Sequence, residues 1–214
     1  MTQETKQDSH QTHPINPFDQ GYWEAEELRK FGFKHVGENV KVAKNCTIIG
    51  LHHITLGSNI RIDGNVVIAA SSGSLTLGNY IHISTGCYLG CAGGVTLSDF
   101  SGLSQGVSLY SGTDDYTGKS LTNPTVPRKY LKVKLAPVYL GRHVIIGSGS
   151  VLLPGVTIGE GSSVGALSLV TKSLDAWGVY LGVPVRKLKS RSKDILKLEE
   201  ELLETATTDA VTPG

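Results

Sequence analysis

The sequence predicts an all-β solenoid of about six coils, each wound from three short strands. Three observations predict it. The first is a period of six. From Val138 the chain reads VYLGRH, VIIGSG, SVLLPG, VTIGEG, SSVGAL, SLVTKS, with an aliphatic residue third in every six (Leu140, Ile146, Leu152, Ile158, Val164, Val170). The residue two places earlier is small or β-branched. Six is neither the period of about 3.6 that marks a helix nor the two of a plain strand, and it repeats too regularly for a loop. The second observation is that the same register runs upstream through Leu97, Leu103, Leu109; Leu77, Ile83, Leu89; Leu56, Ile62, Ile68; and Val36, Val42, Ile48. Short strands that cannot bury a face alone stack into one continuous core. The third is that the 26 glycines recur where strands must turn, at corners that need left-handed or tight backbone.

In chain order, residues 1–16 are polar and aperiodic and are expected to form a tail, with His10 and His13 in it. Residues 17–35 are expected to form a helical cap, helical from Tyr22 to Phe31. Tyr22, Trp23, Leu28 and Phe31 would cover the open edges of the first coil. The solenoid then occupies residues 36–188. Its marked positions step 48 to 56, 68 to 77, 89 to 97, 109 to 140 and 152 to 158 between coils, so the excess over six is two, three, two, twenty-five and none. Every excess follows the third strand of a coil, which places all of them at one corner and suggests a binding groove along that edge. The longest is the insertion 113–137. Leu174 to Leu188 leaves the prism, 189–205 reads as a helix with Ile195, Leu198 and Leu202 on one face and Ser192 as its N-cap, and 206–214 is a tail.

A net charge of +1 gives no electrostatic argument for nucleic acid or a membrane surface. The absence of a long apolar run or an opening signal peptide makes a cytoplasmic protein the expectation. Of Cys46, Cys87 and Cys91, Cys87 takes an inward position as core filler, and one Cys87–Cys91 pair is a poor zinc motif.

These residues, above all VIIGSGSVLLPGVTIGEGSSVGALSLVTKS and the later Gly182-Val183-Pro184-Val185-Arg186 turn, resemble the left-handed parallel β-helix acetyltransferases of the hexapeptide family. The stretches YSGTDDYTG and LTNPTVP, joined to GALSLVTKS, look like the branch that N-acetylates nucleotide-linked amino sugars for surface polysaccharides, dTDP-4-amino-4,6-dideoxyglucose among them. The resemblance implies acetyl-CoA as co-substrate, no metal, and a homotrimer with active sites in clefts between prisms. It implies pantetheine beside Gly147, Ser148, Ala166 and Leu167, and CoA phosphates near Lys172, Arg186 and Lys187. Tyr110, Asp114, Asp115 and Asn123 of the insertion motifs, with His53 from the first corner insertion, would meet the sugar.

Many sugar O-acetyltransferases of the family carry a histidine early in the long loop, where this chain reads Ser111-Gly112-Thr113-Asp114-Asp115-Tyr116. The candidate base is therefore His82. It precedes inward Ile83, so strand alternation points it outward, and an imidazole suits proton transfer near neutral pH. An outward histidine packed in a subunit contact is the other reading, just as Asp114 and Asp115 read equally as turn formers. Rival functions are sugar O-acetylation, a zinc hydratase needing three convergent histidines, and a non-enzymatic face built on the outward column Thr55, Thr76, Thr96 and Thr157, which Tyr139 interrupts.

Overall fold

A computed structural model, describing residues 16–211, winds the chain into a left-handed β-solenoid of three parallel sheets. Coil stacks on coil in the register the sequence marks. Val36, Leu56, Leu77, Leu97, Leu140 and Ile158 pair in succession on the first face. Val42, Ile62, Ile83, Leu103, Ile146 and Val164 do so on the second. Ile48, Ile68, Leu89, Leu109, Leu152 and Val170 form the third. All but Ile48 are buried, and each inward side chain contributes about 1.5–3 kcal/mol of transfer free energy. A partial seventh coil adds Leu174 beside Ile158 and Tyr180 beside Val164. The threonine column stands on the first face as expected, with Tyr139 in its row.

Each coil turns its corners with left-handed residues, and the two corners that flank the second face are filled in opposite ways. Entering that face, the left-handed positions are Asn39, Asn59, Tyr80, Phe100 and His143, followed by Gly161 under the ring of Trp177. A side chain at positive φ is unfavourable, and here it is offset by stacking. The Tyr80 and Phe100 rings lie 4.7 Å apart and 4° from parallel, and His143 continues the stack 5.1 Å beyond Phe100. Leaving the second face, the left-handed positions are Asn65, Gly86, Gly106, Gly149 and Leu167. Three successive glycines carry no side chain there, and the edge is bare at Gly86 and Gly106 until Leu167 reaches over Gly149.

The ends depart from the sequence expectation. Tyr22–Glu24 is not helical but a strand, antiparallel to Lys41–Ala43, and only Ala25–Leu28 (α1) forms a helix. The sheet edge of the first coil needed pairing more than covering, and α1 then drops Leu28 into the core at 1% exposure. At the other end Gly178–Gly182 and Val185–Ser190 form a hairpin that extends the second face. The C-terminal helix, α2, therefore starts later and runs further than expected, Ile195–Val211. Ser192 is not its N-cap; its hydroxyl bonds Asp194, the residue before the helix. The first fifteen residues, including His10 and His13, lie outside the described residues.

The long insertion is closed at its base by a small antiparallel ladder, Gly112 with Leu135 and Thr113 with Lys134. It therefore hangs from the prism without interrupting it, since Val138 resumes beside Val95. Replacing residues 114–133 by a two-residue Asn-Gly turn between Thr113 and Lys134 matches a hairpin geometry. The shortened protein is expected to unfold cooperatively within a few degrees of the parent in a thermal melt. A collapse of the transition would show that the loop carries the fold.

Candidate active site

His82 stands outward on the second face between Arg61 below and Gly102 above. Its side chain is 53% exposed, and its Nε2 lies 2.7 Å from Asp63 Oδ2. Asp63 turns off the same face one coil earlier, where its other oxygen receives Arg61 Nε at 2.7 Å and the Tyr22 hydroxyl at 3.0 Å. Burial alone would push the Asp63 carboxyl up. The donors from His82, Arg61 and Tyr22 outweigh burial and hold it below the ordinary carboxylate range.

Above His82 a groove of about 560 Å³ opens along the second face under α2, lined by His82, Ser84, Ser104, Gln105, Ile145 and Leu198 among others. Ile195, Leu198 and Leu202 form its roof, the face the sequence marked on that helix. Nothing in the local residue pattern marks Glu199. It is buried at 7%, where it binds the Arg142 guanidinium and His143 Nε2, the latter at 2.8 Å, and so pins α2 to the aromatic corner. One side of the groove is walled by Tyr80, Phe100 and His143. The other opens onto the glycine edge of Gly86, Gly106 and Gly149.

Gly147, Ser148, Ala166 and Leu167 lie along that same edge on the later coils. Ser148 Oγ donates to Gln105 Oε1 at 3.0 Å, and Leu167 stands 75% exposed at φ +53°. Gly147 has a packing reason of its own, because a Cβ there would come 2.5 Å from the Ala166 nitrogen. Arg186 and Lys187 are exposed on the return strand of the hairpin, opposite Leu181 and Tyr180. Lys172 instead follows the last third-face strand, at the corner where the insertions lie.

The other expected substrate residues also belong to that insertion corner. His53 ends a short 3-10 turn, Leu51–His53, with its ring 4.0 Å from that of His52. Tyr110 closes a third-face strand and tilts against Tyr88, ring centroids 5.3 Å apart. Asp115 uses its carboxylate on its own loop, accepting from Thr117 N and Oγ1 and from Lys119 N and Ser120 Oγ. Those bonds, Thr117's foremost, hold its acid below the usual range, which is the turn-former reading. Asn123 is likewise spent on Thr125 through its side chain. Asp114 keeps the freer carboxylate, with one contact of 3.3 Å from the Asn123 N–H.

The expected site residues thus fall on two edges of the prism, with the third face between them. Within one chain the structure does not bring His53, Tyr110, Asp114, Asp115 and Asn123 to His82. The groove under α2 lies on the second face, while a smaller one of about 380 Å³ is lined by Asp114, Asp115 and Lys134 on the insertion. Sequence reasoning missed Ser84, Ser104 and Asp63. The first two fall one step past an inward residue, like Gly147, so the register could have marked them. Asp63 could not be found that way, since its role depends on Tyr22 arriving from the N-terminal strand. Among the described residues no group of three His, Cys, Asp or Glu is placed to hold a metal, and burial pushes the Cys91 thiol up to about 12.

The repeat places the chain among the hexapeptide transferases: residues 137–172 match the bacterial transferase hexapeptide (six repeats) family model. The dTDP-4-amino-4,6-dideoxy-D-glucose acyltransferase of Escherichia coli is 39% identical over 188 residues, spanning 88% of this chain and 98% of that one. AntD, an N-acyltransferase from Bacillus cereus solved with dTDP and 3-hydroxybutyryl-CoA, superposes with a TM-score of 0.83 at 41% identity, covering 87% of this chain and 98% of its own. A putative colanic acid biosynthesis acetyltransferase, WcaF of Escherichia coli K12, is 30% identical over 67% of this chain and 73% of its own. The chain belongs to the hexapeptide-repeat β-helix acyltransferases, in the part of that family related to dTDP-aminosugar N-acyltransferases.

The lowered pKa of the Asp63 carboxyl fixes a pH dependence. A carboxyl depressed in the folded state stabilises the protein fully above its unfolded value, about 3.9, and loses that stabilisation as pH falls through the folded value. In urea melts the stability difference between the parent and Asp63→Asn is expected to stay constant from pH 7 to 5 and to shrink from about pH 4 downward. A difference that stays level through pH 3 would mean that the carboxylate is not held by these donors.

Proposed function

We propose that the chain transfers an acyl group from a CoA thioester to the amino group of a nucleotide-linked amino-deoxy sugar. The whole-length relatedness to N-acyltransferases of dTDP-amino sugars carries this reading. The bare glycine edge beside His82 supports it, because backbone can approach an extended pantetheine only where no side chains intervene. The donor we assign is acetyl-CoA, the acceptor a 4-amino-4,6-dideoxyhexose on dTDP, and the setting surface polysaccharide synthesis. The working form is a homotrimer, since the two half-sites on separate edges of one prism can face each other only across a subunit boundary.

In this reading the sugar amine attacks the thioester carbonyl and forms the C–N bond while the C–S bond breaks. His82 takes a proton from the attacking nitrogen and returns one to the departing thiolate. CoA runs past Gly147, Ser148, Ala166 and Leu167, with Arg186 and Lys187 toward its phosphates, and Lys172, at the insertion corner, would reach them only from a neighbouring subunit. Asp114 of the neighbouring subunit meets the sugar or its amine, with His53 and Tyr110 on the same edge. Solved AntD variants replace a serine and an aspartate ten residues apart. Among the described residues only Ser104 and Asp114 share that spacing here, and we place Ser104 beside the reacting amine.

Amino and hydroxyl sugars offered side by side with acetyl-CoA test the reaction. Thiol release is expected with the 4-amino dTDP sugar and not with its 4-hydroxy counterpart; transfer to the hydroxyl sugar would favour O-acetylation. His82→Asn is expected to lower kcat by about 10²-fold or more with little change in melting temperature. A loss of less than about threefold would leave positioning alone to carry the reaction. Asp114→Asn is expected to lower kcat about 10²-fold by leaving the amine unoriented, while KM for acetyl-CoA stays put.

A further inference from the structure

The reactive nitrogen of His82 depends on what holds the other one. Asp63 is ionised and can only accept hydrogen bonds. The His82 nitrogen 2.7 Å from it must therefore carry a proton, which makes Nε2 the donor and leaves the Nδ1 lone pair of the neutral ring unprotonated. Among the described residues Nδ1 has no hydrogen-bond partner, and the half-exposed ring borders the groove that also holds Ser84 and Ser104.

Asp63 is fixed from several sides. Its main-chain N–H donates to Ile83 O at 2.9 Å, and its carbonyl accepts Cys46 Sγ at 3.1 Å. Its Oδ1 receives Arg61 and Tyr22, leaving Oδ2 to His82. Tyr22 comes from outside the repeat. The N-terminal strand pairs Tyr22 with Ala43 on the first coil, and from there its hydroxyl reaches Asp63 on the second. The Arg61 guanidinium lies over the Tyr22 ring, 5.6 Å from its centroid. A half-exposed ion pair adds little to stability, so three donors converging on one partly buried carboxylate serve orientation better than they serve folding.

We infer that Asp63 is a positioning residue that locks His82 in its Nε2–H tautomer and directs Nδ1 as the base toward the acceptor amine, with Tyr22 and Arg61 holding Asp63 in turn. The inference rests on the N-acyltransfer reading of the site. In the transfer, Nδ1 takes the proton from the amine as the C–N bond forms, the Asp63 carboxylate faces the imidazolium while the C–S bond breaks, and Nδ1–H then protonates the CoA thiolate. Protons balance, and the ring ends in the tautomer in which it began. The N-terminal strand thereby becomes part of the catalytic apparatus.

The test reads the tautomer directly, by two-bond ¹H–¹⁵N correlation spectra of the full-length, histidine-labelled protein at pH 7.5, with His82 assigned by its loss in His82→Asn. The inference expects an unprotonated Nδ1 and a protonated Nε2. Asp63→Ala should give mixed tautomers and a kcat reduced about 10–100-fold, part of the ~10²–10⁴ that a base contributes, with KM for acetyl-CoA unchanged. Asp63→Glu should restore part of kcat, and Tyr22→Phe, which removes one donor and leaves the coil intact, should lower kcat a few-fold. The opposite tautomer, a doubly protonated ring at a pH where the enzyme turns over, or full kcat in Asp63→Ala would overturn it. Loss of the base reading alone shows differently: His82→Asn would keep its kcat while the wild-type spectrum still showed the locked tautomer.

Discussion

Neighbouring coils of this solenoid lie at the spacing of paired strands, about 4.8 Å, and that spacing governs what a corner can hold. A side chain at a corner must stack on the one above it or be absent. Gly37, Gly57 and Gly78 show the limit, since a Cβ on any of them would come within 2.6 Å of an atom of the next coil. On entering the second face the chain stacks, and Tyr80, Phe100 and His143 become a wall that Glu199 ties to α2. On leaving it the chain omits side chains, and Gly86, Gly106 and Gly149 become an edge that a long thin ligand can follow. One geometric constraint, met in two ways on either side of one face, makes that face a site and gives it a direction.

The same constraint keeps the two sets of candidate residues apart within one chain. Within one prism the loop that bears Asp114 and the face that bears His82 stay on separate edges, and the trimer we propose would join them across a boundary. The loop is built for that separation. Its base is a two-rung ladder, and Asp115 and Asn123 spend their side chains holding its own turns. In the proposed trimer, rigidity of this kind would keep an overhanging segment in place for a neighbour, where ordering a floppy one on each encounter would cost chain entropy.

Most of the fold was legible in the residues because a six-residue register leaves no freedom. Every marked aliphatic position, from Val36 to Val170, pairs with its counterpart on a neighbouring coil. The ends were not legible, because they answer to an open sheet edge rather than to the repeat. YWE at 22–24 pairs as a strand although the residues around it have helical spacing, and the segment before α2 folds back as a hairpin. Within the site, His82 followed from alternation, and the glycine edge followed from the register. Glu199 and Asp63 did not. Each is defined by a partner distant in sequence, Arg142 and His143 for one and Tyr22 and His82 for the other, and no local pattern encodes such meetings. Asp115 shows the converse. Its residue type suggested a ligand contact, and its hydrogen bonds assign it to the loop.

In the proposed trimer a working site takes His82 from one prism and Asp114 from the next. Subunit complementation tests it. His82→Asn and Asp114→Ala proteins, each expected to be nearly inactive, are mixed in equal amounts, dissociated and reassembled. Random assortment leaves about a quarter of the clefts with both native residues, so the mixture is expected to recover up to roughly a quarter of the parental kcat while neither protein reassembled alone does. A mixture no more active than its components would show that the two residues do not meet across a subunit boundary.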